Sequence, residues 1–152
     1  MRKQCKRRIY KLVNPIEFAI QGAAYTPEDH LNKLRLLELA SIDAFAHGKA
    51  TVADWHSLCG MLNLCETMAR MGIGPEAIPV CKAAQEALKD AQERFERLAR
   101  MGTTGPGLQA LRELYQIHDL QRSSVSRSEY ERAIKISENR IRSKAPEVVE
   151  LA

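Results

Sequence analysis

The stretch Glu66-Thr67-Met68-Ala69-Arg70-Met71-Gly72-Ile73-Gly74-Pro75 returns thirty residues later as Glu96-Arg97-Leu98-Ala99-Arg100-Met101-Gly102-Thr103-Thr104-Gly105-Pro106. Each copy reads as a helix that stops at Gly, turns, and starts again at Gly-Pro. Glycine suits the left-handed position just past a helix end, and proline suits the first helical position. Between the copies lies one long helical segment, expected from Ile78-Pro79 to Met101 and about 36 Å long at the standard rise. Its inner face is Val80, Cys81, Ala84, Ala87, Leu88, Ala91, Phe95 and Leu98, with enough small residues for a neighbouring helix to come close. Its outer face carries Lys89, Asp90, Glu93, Arg94 and Arg97. The doubled phrase could record an old duplication of a helix hairpin, but two copies fall short of the three or more repeats that a stable solenoid needs, and one good helix stop used twice is the favoured reading.

Working outward, the helix before the first copy starts at Thr51, with Asp54 at its third position. It places Trp55, Leu58, Cys59, Met61, Leu62, Cys65, Met68 and Ala69 on one face. Upstream of it, Thr26-Pro27-Glu28-Asp29 opens a helix that ends near His47 with Gly48 as the stop. Leu31, Leu34, Leu37, Ile42, Ala44 and Phe45 form its apolar arc. Leu36 and Leu39 lie on a flank, which implies cover on more than one side. Asn14-Pro15-Ile16-Glu17 opens a first, short helix running to about Gly22. Downstream, Pro106 opens a helix to about Arg122, with Leu108, Leu111, Leu114, Tyr115 and His118 in one arc. Ser126-Arg127-Ser128-Glu129 is a capping box for the last helix, striped with Tyr130, Ala133, Ile134, Ser137 and Ile141 and fading near Lys144. The expected fold is all-α: a single-domain antiparallel bundle of about six helices over residues 14–145, with a basic arm at 1–13 and a loose tail at 146–152.

Composition narrows the class. Aromatics make up 5% of the 152 residues, so Leu, Ala and Met supply most of the core. No apolar run approaches the roughly 18 residues of a membrane span, and no apolar signal region follows the basic N-terminus. Cys5, Cys59, Cys65 and Cys81 lack metal-ligand spacing; the last three fall on apolar faces and read as small buried hydrophobes of a reducing cytoplasm. Six of the 23 basic residues (Arg2, Lys3, Lys6, Arg7, Arg8 and Lys11) lie in the arm, which holds no acid, leaving 17 basic against 19 acidic residues in the body. A near-neutral body argues against mimicry of DNA, which needs a strongly acidic surface.

Ala69-Arg70-Met71-Gly72-Ile73-Gly74, Thr104-Gly105-Pro106 with Leu108-Gln109-Ala110-Leu111, and Ile117-His118-Asp119 resemble a group of small helical proteins encoded by bacteriophages and prophages of proteobacteria. Asn14-Pro15 and Ala53-Asp54-Trp55 fit the same pattern, so the resemblance spans residues 14–142. It implies a phage or mobile-element origin and an accessory role in the host bacterial cytoplasm. It brings no catalytic motif and no functional residues.

The residues themselves offer few sites. The six arm cations could neutralise phosphates in a salt-dependent way, making Arg2, Lys3, Lys6, Arg7, Arg8 and Lys11 the candidate nucleic-acid contacts. Glu38 and Glu66 lie near apolar arcs, but no Glu-x-x-His accompanies them, so pairing with Arg35 or Arg70 is expected in place of a metal. His118 reads as a core or interface histidine, since Asp119 points about 100° away from it on a helix and is not placed to orient it. Residues 102–107 are glycine-rich, yet without a preceding strand or a following Lys-Ser/Thr they read as a helix-to-helix turn. Methionines make adaptable partner surfaces, and Trp55 would anchor an interface if exposed, although its place in the apolar arc predicts burial. Trp55, Met71, Met101, Tyr115 and His118 are thus the candidate partner contacts. The expected function is non-enzymatic and cofactor-free: binding of a host or phage protein, inhibiting a host enzyme or defence complex, with homodimer formation open. The second reading is nucleic-acid binding through the arm.

Overall fold

The computed structural model describes residues 15–144, so the basic arm, the Asn14 cap and the tail lie outside the described residues. Six α-helices follow one another: α1 (Pro15–Ala23), α2 (Glu28–Ala46), α3 (Val52–Arg70), α4 (Ile78–Leu98), α5 (Gly105–Ser124) and α6 (Arg127–Arg142), with a single 3-10 turn at Pro75–Ala77 leading into α4. Among the described residues there is no strand, only an isolated bridge between Tyr25 and Ser126. The chain is an all-α helical bundle, and no described helix is long and apolar enough to cross a membrane.

α3 is the axis. It packs against α2, α4, α5 and α6. Its predicted apolar face is buried in full, from Trp55 to Ala69, and so are Asn63, Glu66 and Thr67 on the other side. From Met61 to Ala69 α3 is covered on nearly every side, and a helix so placed is normally apolar all round. Here the polar side is closed by Arg140 of α6, which donates to Thr67 Oγ1 at 2.6 Å and lies 3.6 Å from Glu66. Trp55 Nε1 donates to the Leu88 carbonyl at 2.9 Å, tying the start of α3 to the middle of α4. The main core joins Ile42 and Phe45 of α2 to α3, to Cys81, Ala84, Leu88 and Ala91 of α4, and to Leu111 and Leu114 of α5. A second cluster, Met68, Val125, Tyr130 and Ala133, seats α6. Cys59, Cys65 and Cys81 are buried free thiols, with Cys65 and Cys81 in contact at 3.7 Å. That contact and burial push the Cys65 thiol far up, and burial alone does so for Cys59.

The helix starts follow local chemistry. Thr51 with Asp54 and Ser126 with Glu129 form capping boxes, and Thr104 accepts from the Gly107 backbone N–H. The expectation for Thr26 fails: α2 starts after Pro27 and the Thr26 hydroxyl makes no cap. The two copies of the doubled phrase also diverge. In the first, α3 runs to Arg70 and Gly72 takes φ +89°, with Ile73 N–H returning to the Met68 carbonyl. In the second, α4 ends at Leu98 and Ala99, not Gly102, takes the left-handed conformation at φ +54°. The early break turns Met101 into the core and leaves Leu98, expected inside, 58% exposed. α4 is therefore about 31 Å long, not 36 Å.

Candidate partner-binding surface

The face of α2 is set by a residue that does not look like core. Leu31, Glu38, Ser41, Ile42 and Phe45 are its buried positions. Glu38 occupies the central core position because Arg122 of α5, itself fully buried, meets it with two hydrogen bonds of 2.9 and 2.8 Å. Arg122 Nε also donates to Asp119 at 2.9 Å, and Asp119 accepts from Arg35 Nε of α2 at 2.8 Å. Arg35 Nη1 donates to both Glu28 and Asn32. The Arg122 guanidinium lies 5.9 Å from the Tyr115 ring centre. Burial pushes Glu38 above the usual carboxylate range although Arg122 pulls it down. Burial likewise acts upward on Asp119, but hydrogen bonds from Arg35 and Arg122 hold it below its ordinary value. Arg122 stays charged: burial opposes this, and Glu38 and Asp119 outweigh burial.

Taking Glu38 inward turns its neighbours outward. Leu36 is 70% exposed, Leu37 57% and Leu39 45%. Leu37, expected in the buried arc, and Leu36 and Leu39, expected to be covered on a flank, are all on the surface of this chain. On α5, Leu120 is 72% exposed and follows Asp119, the residue bonded to Arg35 next to Leu36. Beside them a groove of about 480 Å³ runs between α2 and α5, lined by Leu39, Ile42, Asp43, Arg112, Tyr115 and Gln116. Leu39 lines this groove; Leu36 lies about 60° from Leu39 around α2 and Leu37 about 160° from it, on the opposite flank.

The residues expected to contact a partner are scattered by the fold. Tyr115 lies in the α2–α5 groove and is half-buried. Met71 is half-buried against the α6 cluster. Trp55, Met101 and His118 are interior and offer no surface in this chain: Trp55 and Met101 belong to the main core, and His118 is sealed under α5. His118 Nδ1 donates to Gln121 Oε1 at 3.1 Å, an orientation fixed because Gln121 Nε2 donates to the Cys65 and Ile73 carbonyls. Its Nε2 is buried with no hydrogen-bond partner among the described residues. Burial, then the nearby Arg122 charge, lower its pKa to about 4, so it is neutral at pH 7. The six arm cations proposed to meet nucleic acid lie outside the described residues.

Glu38 and Glu66 are each engaged by arginine: Arg122 covers both oxygens of Glu38, and Arg70 holds Glu66 at 2.9 Å. Arg70 is the expected partner of Glu66; Arg35, expected near Glu38, serves Glu28 and Asp119 instead. Among the described residues no group of three or more His, Cys, Asp or Glu side chains is placed to hold a metal ion. No family model, no curated protein and no solved structure matches the chain.

Proposed function

We propose that this protein is a non-enzymatic accessory protein of a phage or mobile element, which acts in the bacterial cytoplasm by binding a host or phage protein and so inhibiting a host enzyme or defence complex. The observation that carries the binding reading is the set of exposed leucines of α2 and α5, Leu36, Leu37, Leu39 and Leu120. Single exposed leucines are ordinary on any protein; here three fall within four residues of one helix, beside an open groove, and apolar surface so concentrated is what partner proteins cover. The phage origin rests on the sequence resemblance at residues 14–142. A second reading is favoured by one feature, the six basic residues at positions 2–11: binding of nucleic acid by the arm.

The two readings part in a capture experiment from bacterial lysate, with and without nuclease, using the full chain and a chain lacking residues 1–11. The protein-binding reading expects a nuclease-resistant partner retained by the shortened chain. Capture that vanishes with nuclease or with the arm would assign the ligand to nucleic acid.

A further inference from the structure

A groove of about 730 Å³ opens where α2 and α4 end, between the turn at residues 48–50 and residues 94–102. Its charged lining is Lys49, Arg94 and Arg100, and no acidic residue lines it. None of these three side chains has a hydrogen-bonded or ion-paired partner among the described residues. Arg35, Arg70, Arg122 and Arg127 each hold a carboxylate, so those acids are engaged away from the groove. Glu96, close in sequence to the groove arginines, accepts from Gln92 instead. The carbonyl ends of α2 and α4 border the groove and attract cations, but each counts for roughly half a negative charge. Three full positive charges exceed that, so the groove is net positive within a body whose acids outnumber its bases.

The groove is also partly apolar. Leu98 is 58% exposed and Phe95 is half-buried in its wall. Its shape comes from the left-handed Ala99, which leaves Arg100 on the groove side while Met101 enters the core. A left-handed alanine is a disfavoured backbone state, of the kind found where local geometry serves a site. Nucleic acid would match the charge, but its bases stack on exposed aromatic faces. Here the exposed apolar side chain is a leucine and the aromatic one is half-hidden.

We propose that this groove receives a segment of a partner protein in which acidic residues flank an apolar side chain, the carboxylates pairing with Lys49, Arg94 and Arg100 and the apolar group covering Leu98 and Phe95. The proposal rests on the reading of the protein as a binding module and adds a contact separate from the exposed leucines of α2 and α5.

The test is a fluorescence-anisotropy titration of the full chain with a synthetic peptide of interspersed glutamate and leucine, at low and at physiological salt. The arm cations also attract such a peptide, so the reading is the difference between variants. Arg94→Glu with Arg100→Glu is expected to weaken binding at least about tenfold. Leu98→Ser is expected to weaken it about threefold, and Arg132→Glu, an exposed cation of α6, to leave it unchanged. Added salt should weaken the unsubstituted chain several-fold. Circular dichroism confirms that each variant is folded. No peptide binding, equal losses in the groove and Arg132→Glu variants, or displacement of the peptide by a single-stranded oligonucleotide acting at the groove arginines would overturn the proposal. Failure of the broader reading is distinguishable: peptide binding lost only in the groove variants, alongside no nuclease-resistant capture from lysate, leaves the groove standing and removes the proposed function.

Discussion

At the scale of single residues, the molecule turns on Glu38 and Arg122. A buried ion pair contributes little net stability, because desolvation offsets the attraction, but removing one partner strands the other charge. Arg122→Leu alone is expected to cost about 3–5 kcal/mol in denaturant unfolding. The double variant Glu38→Leu/Arg122→Leu should recover much of that loss, although Asp119 then keeps only Arg35. A double variant no more stable than Arg122→Leu would show that the network is not a balanced pair. His118 gives a pH signature. The unfolded imidazole protonates near 6.5 and the folded one near 4, so between those values the unfolded chain binds more protons and stability falls as pH drops. The full effect is about 3 kcal/mol. Protonation of Glu38, whose pKa burial raises, works the other way in acid, so the contrast that isolates the histidine is with His118→Gln, whose stability should decline less between pH 6.5 and 4. These two features were unequally legible. His118 stands in a clear apolar arc, so its burial follows from helical spacing. Glu38 sits between leucines, and apolar patterning assigns the leucines inward; only the arginine 84 residues away reverses that choice.

At the scale of elements, the helix starts at Thr51, Pro106 and Ser126 were readable because their capping residues act within three or four positions. The stops were readable only where glycine acts alone. Gly72 ends α3 as expected, whereas the identical Ala-Arg-Met-Gly of the second copy breaks at Ala99, since there the core takes Met101. Ala99→Gly relieves a left-handed Cβ and should raise stability by about 1 kcal/mol. Gly107→Ala tests the opposite case. A Cβ there would lie 3.1 Å from Ala87 Cβ and 2.1 Å from Thr103 Oγ1, at the close crossing of α4 and α5. Thr103 could rotate away, but Ala87 is fixed on its helix, so a loss of about 1–3 kcal/mol is expected. Thermal unfolding of both variants checks the pair; a destabilised Ala99→Gly would contradict the account of the α4 end.

At the scale of the whole molecule, stability is graded around α3. α1 packs mainly on α6, through the Arg127 N–H to Ala24 carbonyl bond at 2.7 Å and the approach of Gly22 to Ser128, and leaves Ile16 and Ile20 exposed. Hydrogen exchange should therefore protect α3 to near the global unfolding free energy and α1 far less; equal protection would mean that α1 is part of the central cooperative unit. The all-helical class was legible because caps and period agree over most of the chain. The proposed binding surface was not, because its leucines face outward beside a buried polar pair, while Trp55, Met101 and His118 went to the interior. Nuclease-treated lysate capture with Leu36→Glu/Leu120→Glu beside the unsubstituted chain tests the proposed role of the exposed leucines of α2 and α5. Both substitutions fall at exposed positions, so the fold should persist by circular dichroism. The captured protein is expected to disappear from the folded variant; undiminished capture would show that these leucines do not bind it.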